Sequence, residues 1–66
     1  MAKAALSLQP SEGIVARMAA TIYAAYVTAG RVAEGQEKVW IQRSVQEAIA
    51  MARITDDLIL SDNELG

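Results

Sequence analysis

Residues 14–30 read IVARMAATIYAAYVTAG, and the predicted architecture depends on the width of the apolar face of this segment. At about 100° per residue, its apolar side chains cover roughly two-thirds of the circumference of a helix. The polar side chains Arg17, Thr21 and Thr28 form one narrow strip. A surface helix needs an apolar stripe of only about 100°. The segment therefore predicts a helix that one neighbouring helix cannot cover.

Residues on either side of this stretch bound the predicted helix. Pro10 suits a first helical turn, Ser11 is a favourable N-cap, and Glu12 complements the positive end of the helix dipole. Gly30 tolerates the left-handed conformation that ends many helices. These signals predict a first helix over about residues 11–29, with a turn between Gly30 and Gln36.

A second helix is predicted over about residues 36–57 and carries two apolar strips. Its far end stays open between Thr55 and Leu60: Asp56 and Asp57 would lie at the unfavourable negative end of the helix dipole, so either Arg53 offsets them or the helix ends near Thr55. The first strip consists of Ile41, Val45, Ala48, Ile49, Ala52 and, if the helix extends that far, Ile59. The second consists of Trp40, Met51, Ile54 and Leu58, with Glu47 as an interruption. One strip can pack on the first helix, so the other requires a second chain.

Length and composition favour association. The chain has 66 residues, a net charge of −2, and neither Cys nor His. A domain this short gains only about 3–5 kcal/mol from its own core, and disulfides or Cys/His metal sites are excluded. We therefore predict an all-α fold: an antiparallel two-helix hairpin over residues 11–60 that completes a four-helix bundle by homodimerisation, with a tetramer as the other option. Residues 1–10 are expected to form an irregular arm and residues 61–66 a frayed acidic tail.

The predicted oligomer interface combines the wide apolar face of the first helix with the second strip of the second helix. Rows of small residues four apart, such as Ala16, Ala20 and Ala24, would allow close helix approach. The interface residues are predicted to be Ile14, Met18, Ala20, Ile22, Tyr23, Ala24, Tyr26, Val27, Trp40, Met51, Ile54 and Leu58.

The polar residues form no recognisable catalytic set. Glu47 is the one carboxylate that interrupts an apolar strip, and Arg43 one turn earlier is its natural ion-pair partner. Residues 30–36 have the glycine spacing of a phosphate-binding loop but lack the Lys and the Ser/Thr that follow it. We therefore expect no enzymatic activity, no cofactor and no metal site.

Charge and hydropathy also bear on partners. The six basic residues are spread along the chain, which disfavours nucleic acid. The longest uncharged run, residues 18–30, has 13 residues where a membrane span needs about 20. The absence of Cys fits a cytoplasmic protein.

The sequence thus predicts a non-enzymatic interaction or oligomerisation module that binds a second copy of itself or a larger protein. The alternative is a small dimeric regulator that binds nucleic acid. It would be either a helical hairpin or a ribbon–helix–helix protein with residues 3–9 as its strand.

Overall fold

The computed structural model describes residues 10–65, with side chains over residues 10–59. It contains two helices, α1 over Pro10–Thr28 and α2 over Glu37–Leu65, packed against each other as a hairpin. The prediction of an all-helical two-helix hairpin is confirmed. Of the arm predicted over residues 1–10, residues 1–9 lie outside the described residues. Pro10, the expected last residue of the arm, is instead the first residue of α1. The N–H that proline lacks would have no hydrogen-bond partner within the helix at this position.

Glycine ends α1 in the expected way. Gly30 has a φ of 75°, and its N–H donates to the carbonyl of Val27 at 3.0 Å. The N–H of Arg31 donates to the carbonyl of Tyr26, also at 3.0 Å. These two bonds are those of a Schellman motif, which satisfies the last carbonyls of a helix and turns the chain away from its axis.

A second glycine prepares the start of α2. Gly35 has a φ of 89°, and its N–H donates to Oε1 of Glu37 at 3.0 Å. The carbonyl of Gln36 accepts the first helical bond, from the N–H of Trp40 at 3.2 Å. The carboxylate of Glu37 therefore lies at the positive end of the α2 dipole, where it is favourable.

The second helix is longer than the sequence predicts. It continues through Leu65, past the expected end at residue 57 and into the residues expected to form a tail. Asp56 and Asp57 consequently lie inside α2 rather than at its negative end, so the dipole argument against them does not apply. Arg53 precedes them by three and four residues, a spacing that favours opposite charges on a helix. Residues 37–65 also contain neither Gly nor Pro to break the helix.

Small side chains form the seam between the helices. Among the residues with described side chains, the buried ones are Ala19 of α1, 6% exposed, and Ser44 and Ala48 of α2, 1% and 0% exposed. Small residues at a crossing let the two backbones approach closely. The Ser44 hydroxyl donates to the carbonyl of Trp40 at 2.8 Å, so its burial leaves no polar group unsatisfied.

The seam does not use the small residues that the sequence singles out in α1. Ala16, Ala20 and Ala24 are exposed, and the residue at the crossing is Ala19. On α2 the seam runs along the boundary between the two apolar strips, because Ser44 lies between them. Half-buried side chains flank the crossing: Val15, Ile22 and Tyr26 from α1, and Trp40, Val45 and Ala52 from α2.

Candidate interaction surfaces

Four side chains, Tyr26, Trp40, Arg43 and Glu47, form a cluster at the turn end of the hairpin, here called the aromatic cluster. The rings of Tyr26 and Trp40 have centroids 4.7 Å apart and planes tilted by 55°. Cζ of Arg43 lies 5.3 Å from the Trp40 ring and 5.8 Å from the Tyr26 ring. Both distances are within the range of cation–π attraction.

Glu47 is the acceptor that joins the two helices in this cluster. The Tyr26 hydroxyl donates to its carboxylate, with Oε1 at 2.7 Å and Oε2 at 2.9 Å. Nε of Arg43 donates to Oε2 at 3.2 Å, so the predicted Arg43–Glu47 pair is confirmed. The tyrosine donor is not evident from the sequence because it lies 21 residues away. In the sequence, the signal for a further donor is the position of Glu47 in an apolar strip, because a partly buried carboxylate requires hydrogen-bond donors.

Hydrogen bonds and charges within the aromatic cluster favour one protonation state for each of its three ionisable side chains. Hydrogen bonding from Tyr26 lowers the pKa of Glu47, and the bond and charge of Arg43 act in the same direction. The same hydrogen bond raises the pKa of Tyr26, because ionising the phenol would remove the donor and place a negative charge beside Glu47. The bond with Glu47 likewise raises the pKa of Arg43. Near neutral pH the cluster is therefore carboxylate, phenol and guanidinium, an arrangement suited to cross-linking helices rather than to proton transfer.

Two predicted interface residues are thus engaged within their own chain. Tyr26 and Trp40 are half-buried against each other, and Tyr26 also bonds Glu47. They hold the turn end of the hairpin closed.

The opposite, open end of the hairpin carries an apolar groove between α1 and α2. One part encloses about 410 Å³ and an adjoining part about 380 Å³, and both are wide open to solvent. Val15 and Ile49 line both parts, and Ser11 of the first helical turn lies beside them. Ile14, a predicted interface residue that is 51% exposed, lines the larger part together with Ala52.

A separate apolar stripe lies on α2. Met51, Ile54 and Leu58, here called the outer stripe, are 51%, 61% and 63% exposed. All three belong to the predicted oligomer interface, and the described residues of this chain leave them largely uncovered. Of the other predicted interface residues, Met18, Ile22 and Tyr23 are half-buried, whereas Ala20, Ala24 and Val27 are exposed.

Within residues 10–59, no three carboxylates come close enough together to hold a metal ion. Over the described part of the chain, neither helix combines the length and apolar character that crossing a membrane requires. No protein-family model, curated protein or solved structure matches the chain.

Proposed function

We propose that this chain is a non-enzymatic self-association module, a helical hairpin that a second copy completes into a four-helix bundle. One observation carries the proposal. Among residues 10–59, the seam buries only Ala19, Ser44 and Ala48, all of them small, while nine large apolar side chains are at least 37% exposed. Scattered apolar residues are ordinary on a surface, but a set this large on a two-helix chain is typical of an interaction surface.

The energetics of folding support the same proposal. Burying a large aliphatic side chain contributes about 1.5–3 kcal/mol, and the seam contains no large residue that is fully buried. Ordering each residue costs on the order of 1–2 kcal/mol. A second copy would cover further apolar area without requiring a larger chain, which is how short domains without disulfides or metals commonly gain stability.

The aromatic cluster supports a structural rather than a catalytic role. Its only carboxylate, Glu47, accepts hydrogen bonds from two donors, and its pKa is lowered. A general acid or base working near neutral pH needs a pKa shifted toward 7, which is the opposite direction for a carboxylate.

Sedimentation equilibrium at micromolar concentration tests the proposal. We expect a mass of about twice 7.1 kDa, together with a helical circular dichroism spectrum. A helical species that remains at 7.1 kDa across this concentration range would overturn self-association.

A further inference from the structure

The two ends of α2 present different apolar strips to α1. At the turn end, Trp40 of the second strip is half-buried, whereas Ile41 of the first strip is 45% exposed. Toward the open end the order is reversed. There Val45 and Ala52 of the first strip are half-buried, whereas Met51 of the second strip is 51% exposed. The first helix therefore passes from the second strip to the first between the turn end and the open end of the hairpin.

This course follows a row of residues four apart on α2. Trp40, Ser44, Ala48 and Ala52 make up the row, and each of them is half-buried or buried. Such a row runs obliquely across the surface of a helix, so a neighbour that follows it changes strips on the way. A straighter course along the first strip would instead cover Ile41, which faces within about 40° of the half-buried Val45 at 100° per residue.

Apolar packing at the crossing does not select between these two courses. The buried residues there, Ala19, Ser44 and Ala48, are all small, and interlocking large side chains are what normally fix one arrangement of two helices. Moving the turn end of α1 onto the first strip would cover Ile41 and uncover part of Trp40. Apolar area is gained at one residue and lost at the other, so a specific contact has to decide between the courses.

The aromatic cluster supplies that contact at the turn end. The Tyr26 hydroxyl donates to Glu47, the carboxylate that interrupts the second strip, with Oε1 at 2.7 Å. The Tyr26 ring lies 4.7 Å from the ring of Trp40, which belongs to the same strip. Both contacts draw the last turn of α1 toward the second strip. A hydrogen bond to a charged group changes an equilibrium by about 10- to 100-fold, which is enough to choose one of two otherwise similar courses.

We propose that the aromatic cluster fixes the course of α1 over α2, with Tyr26 as the positioning residue. It holds the last turn of α1 on the second strip and thereby leaves Ile41 uncovered at the turn end. Without these contacts, α1 follows the first strip along its whole length. The inference concerns contacts within one chain and does not depend on the proposed self-association.

Single cysteines can report the course of α1, because the chain contains no other Cys. The Ile41→Cys thiol reports the turn end of the first strip. The Ile49→Cys thiol lies about two helical turns farther along that strip and lines the groove at the open end. Each is combined with Tyr26→Leu, which removes the ring and the hydroxyl but stays apolar and improves helix propensity. The measured quantity is the rate of thiol modification by a water-soluble disulfide reagent.

The expected result is a change at one reporter only. Tyr26→Leu should slow modification of the Ile41→Cys thiol at least about fivefold, because α1 then covers it, and leave the Ile49→Cys rate within about twofold. Tyr23→Leu is the matched control, since Tyr23 is also a half-buried tyrosine of α1 but lies outside the aromatic cluster. It should change neither rate. Rates extrapolated to low protein concentration exclude any cover from a second copy.

The opposite outcomes are equally clear. Faster modification of the Ile41→Cys thiol in Tyr26→Leu would show that the cluster merely keeps the turn end closed, and an unchanged rate would show that other contacts set the course. Either result overturns the proposal. Glu47→Ala removes the acceptor instead of the donor and favours the helix, so it should slow the same thiol by a smaller factor. This second variant decides the question if Tyr26→Leu loses its helical circular dichroism.

Discussion

At the scale of single residues, Glu47 shows how a carboxylate is accommodated on an apolar strip. Arg43 one turn earlier is a partner that sequence spacing reveals, and the pair forms at 3.2 Å. The second partner, Tyr26, comes from the other helix, and no local spacing rule identifies it. A sequence can therefore predict a pair within one helix, whereas a bond between helices depends on which faces pack together.

The first residue-scale prediction concerns acid. Because the folded pKa of Glu47 lies below its ordinary value of 4.5, its bonds contribute stability above that value, and the contribution is lost as the pH falls through the folded pKa. We expect Glu47→Gln to lower the melting temperature at pH 7, and the difference from wild type to shrink below about pH 4. Thermal melts between pH 7 and pH 3 measure this, and a difference that is independent of pH would contradict it.

The second residue-scale prediction compares two glycines with open space around them. Gly30 has a positive φ, so Gly30→Ala should destabilise the protein by about 1–2 kcal/mol. Gly13 lies inside α1, where Gly13→Ala should stabilise by up to about 1 kcal/mol. Urea unfolding of the two variants checks the opposite signs, and equal signs would contradict the assigned conformation of Gly30.

At the scale of elements, the two helices and their turn follow from the sequence, but their packing does not. Gly30 terminates α1 because glycine readily adopts a positive φ. This property is local and does not depend on which helix packs nearby. Both apolar strips of α2 are candidates for packing on α1. The helices cross at Ser44 and Ala48, whose small side chains allow the closest approach. The end of α2 does not follow from the sequence, because whether the helix dipole disfavours Asp56 and Asp57 depends on how far the helix continues beyond them.

The element-scale prediction tests the close approach of α1 and α2. Ala48 is fully buried at the crossing, so Ala48→Leu should separate the helices and cost about 1–3 kcal/mol. Ala50 is exposed on the same helix, so Ala50→Leu should change stability by less than about 0.5 kcal/mol. Denaturant unfolding at one protein concentration compares them, and equal effects would show that the seam is not tightly packed.

At the scale of the whole molecule, the two ends of the hairpin differ. The turn end is closed by the aromatic cluster, whereas the open end combines an apolar groove with the outer stripe. The wide apolar face of residues 14–30 predicts incomplete burial, but among the described residues most of the exposed large apolar side chains lie on α2. It could not indicate where the uncovered area lies, because that depends on how α1 crosses α2.

The prediction at this scale concerns protein concentration. If the folded form is an oligomer, mass action makes its melting temperature rise with concentration. We expect this rise for the wild type between about 1 and 100 μM and a much smaller one for Ile54→Glu. Melts followed by circular dichroism measure both, and a wild-type midpoint that is independent of concentration would contradict the oligomer.

Trp40 is the only tryptophan of the chain, and it lies against Tyr26 and Arg43 at the turn end of the hairpin. Its fluorescence should therefore shift when the two helices part. If the proposed dimer forms through the outer stripe, which is farther along α2, its dilution into monomers should leave the emission spectrum almost unchanged. Trp40 is thus an intrinsic optical reporter for hairpin opening.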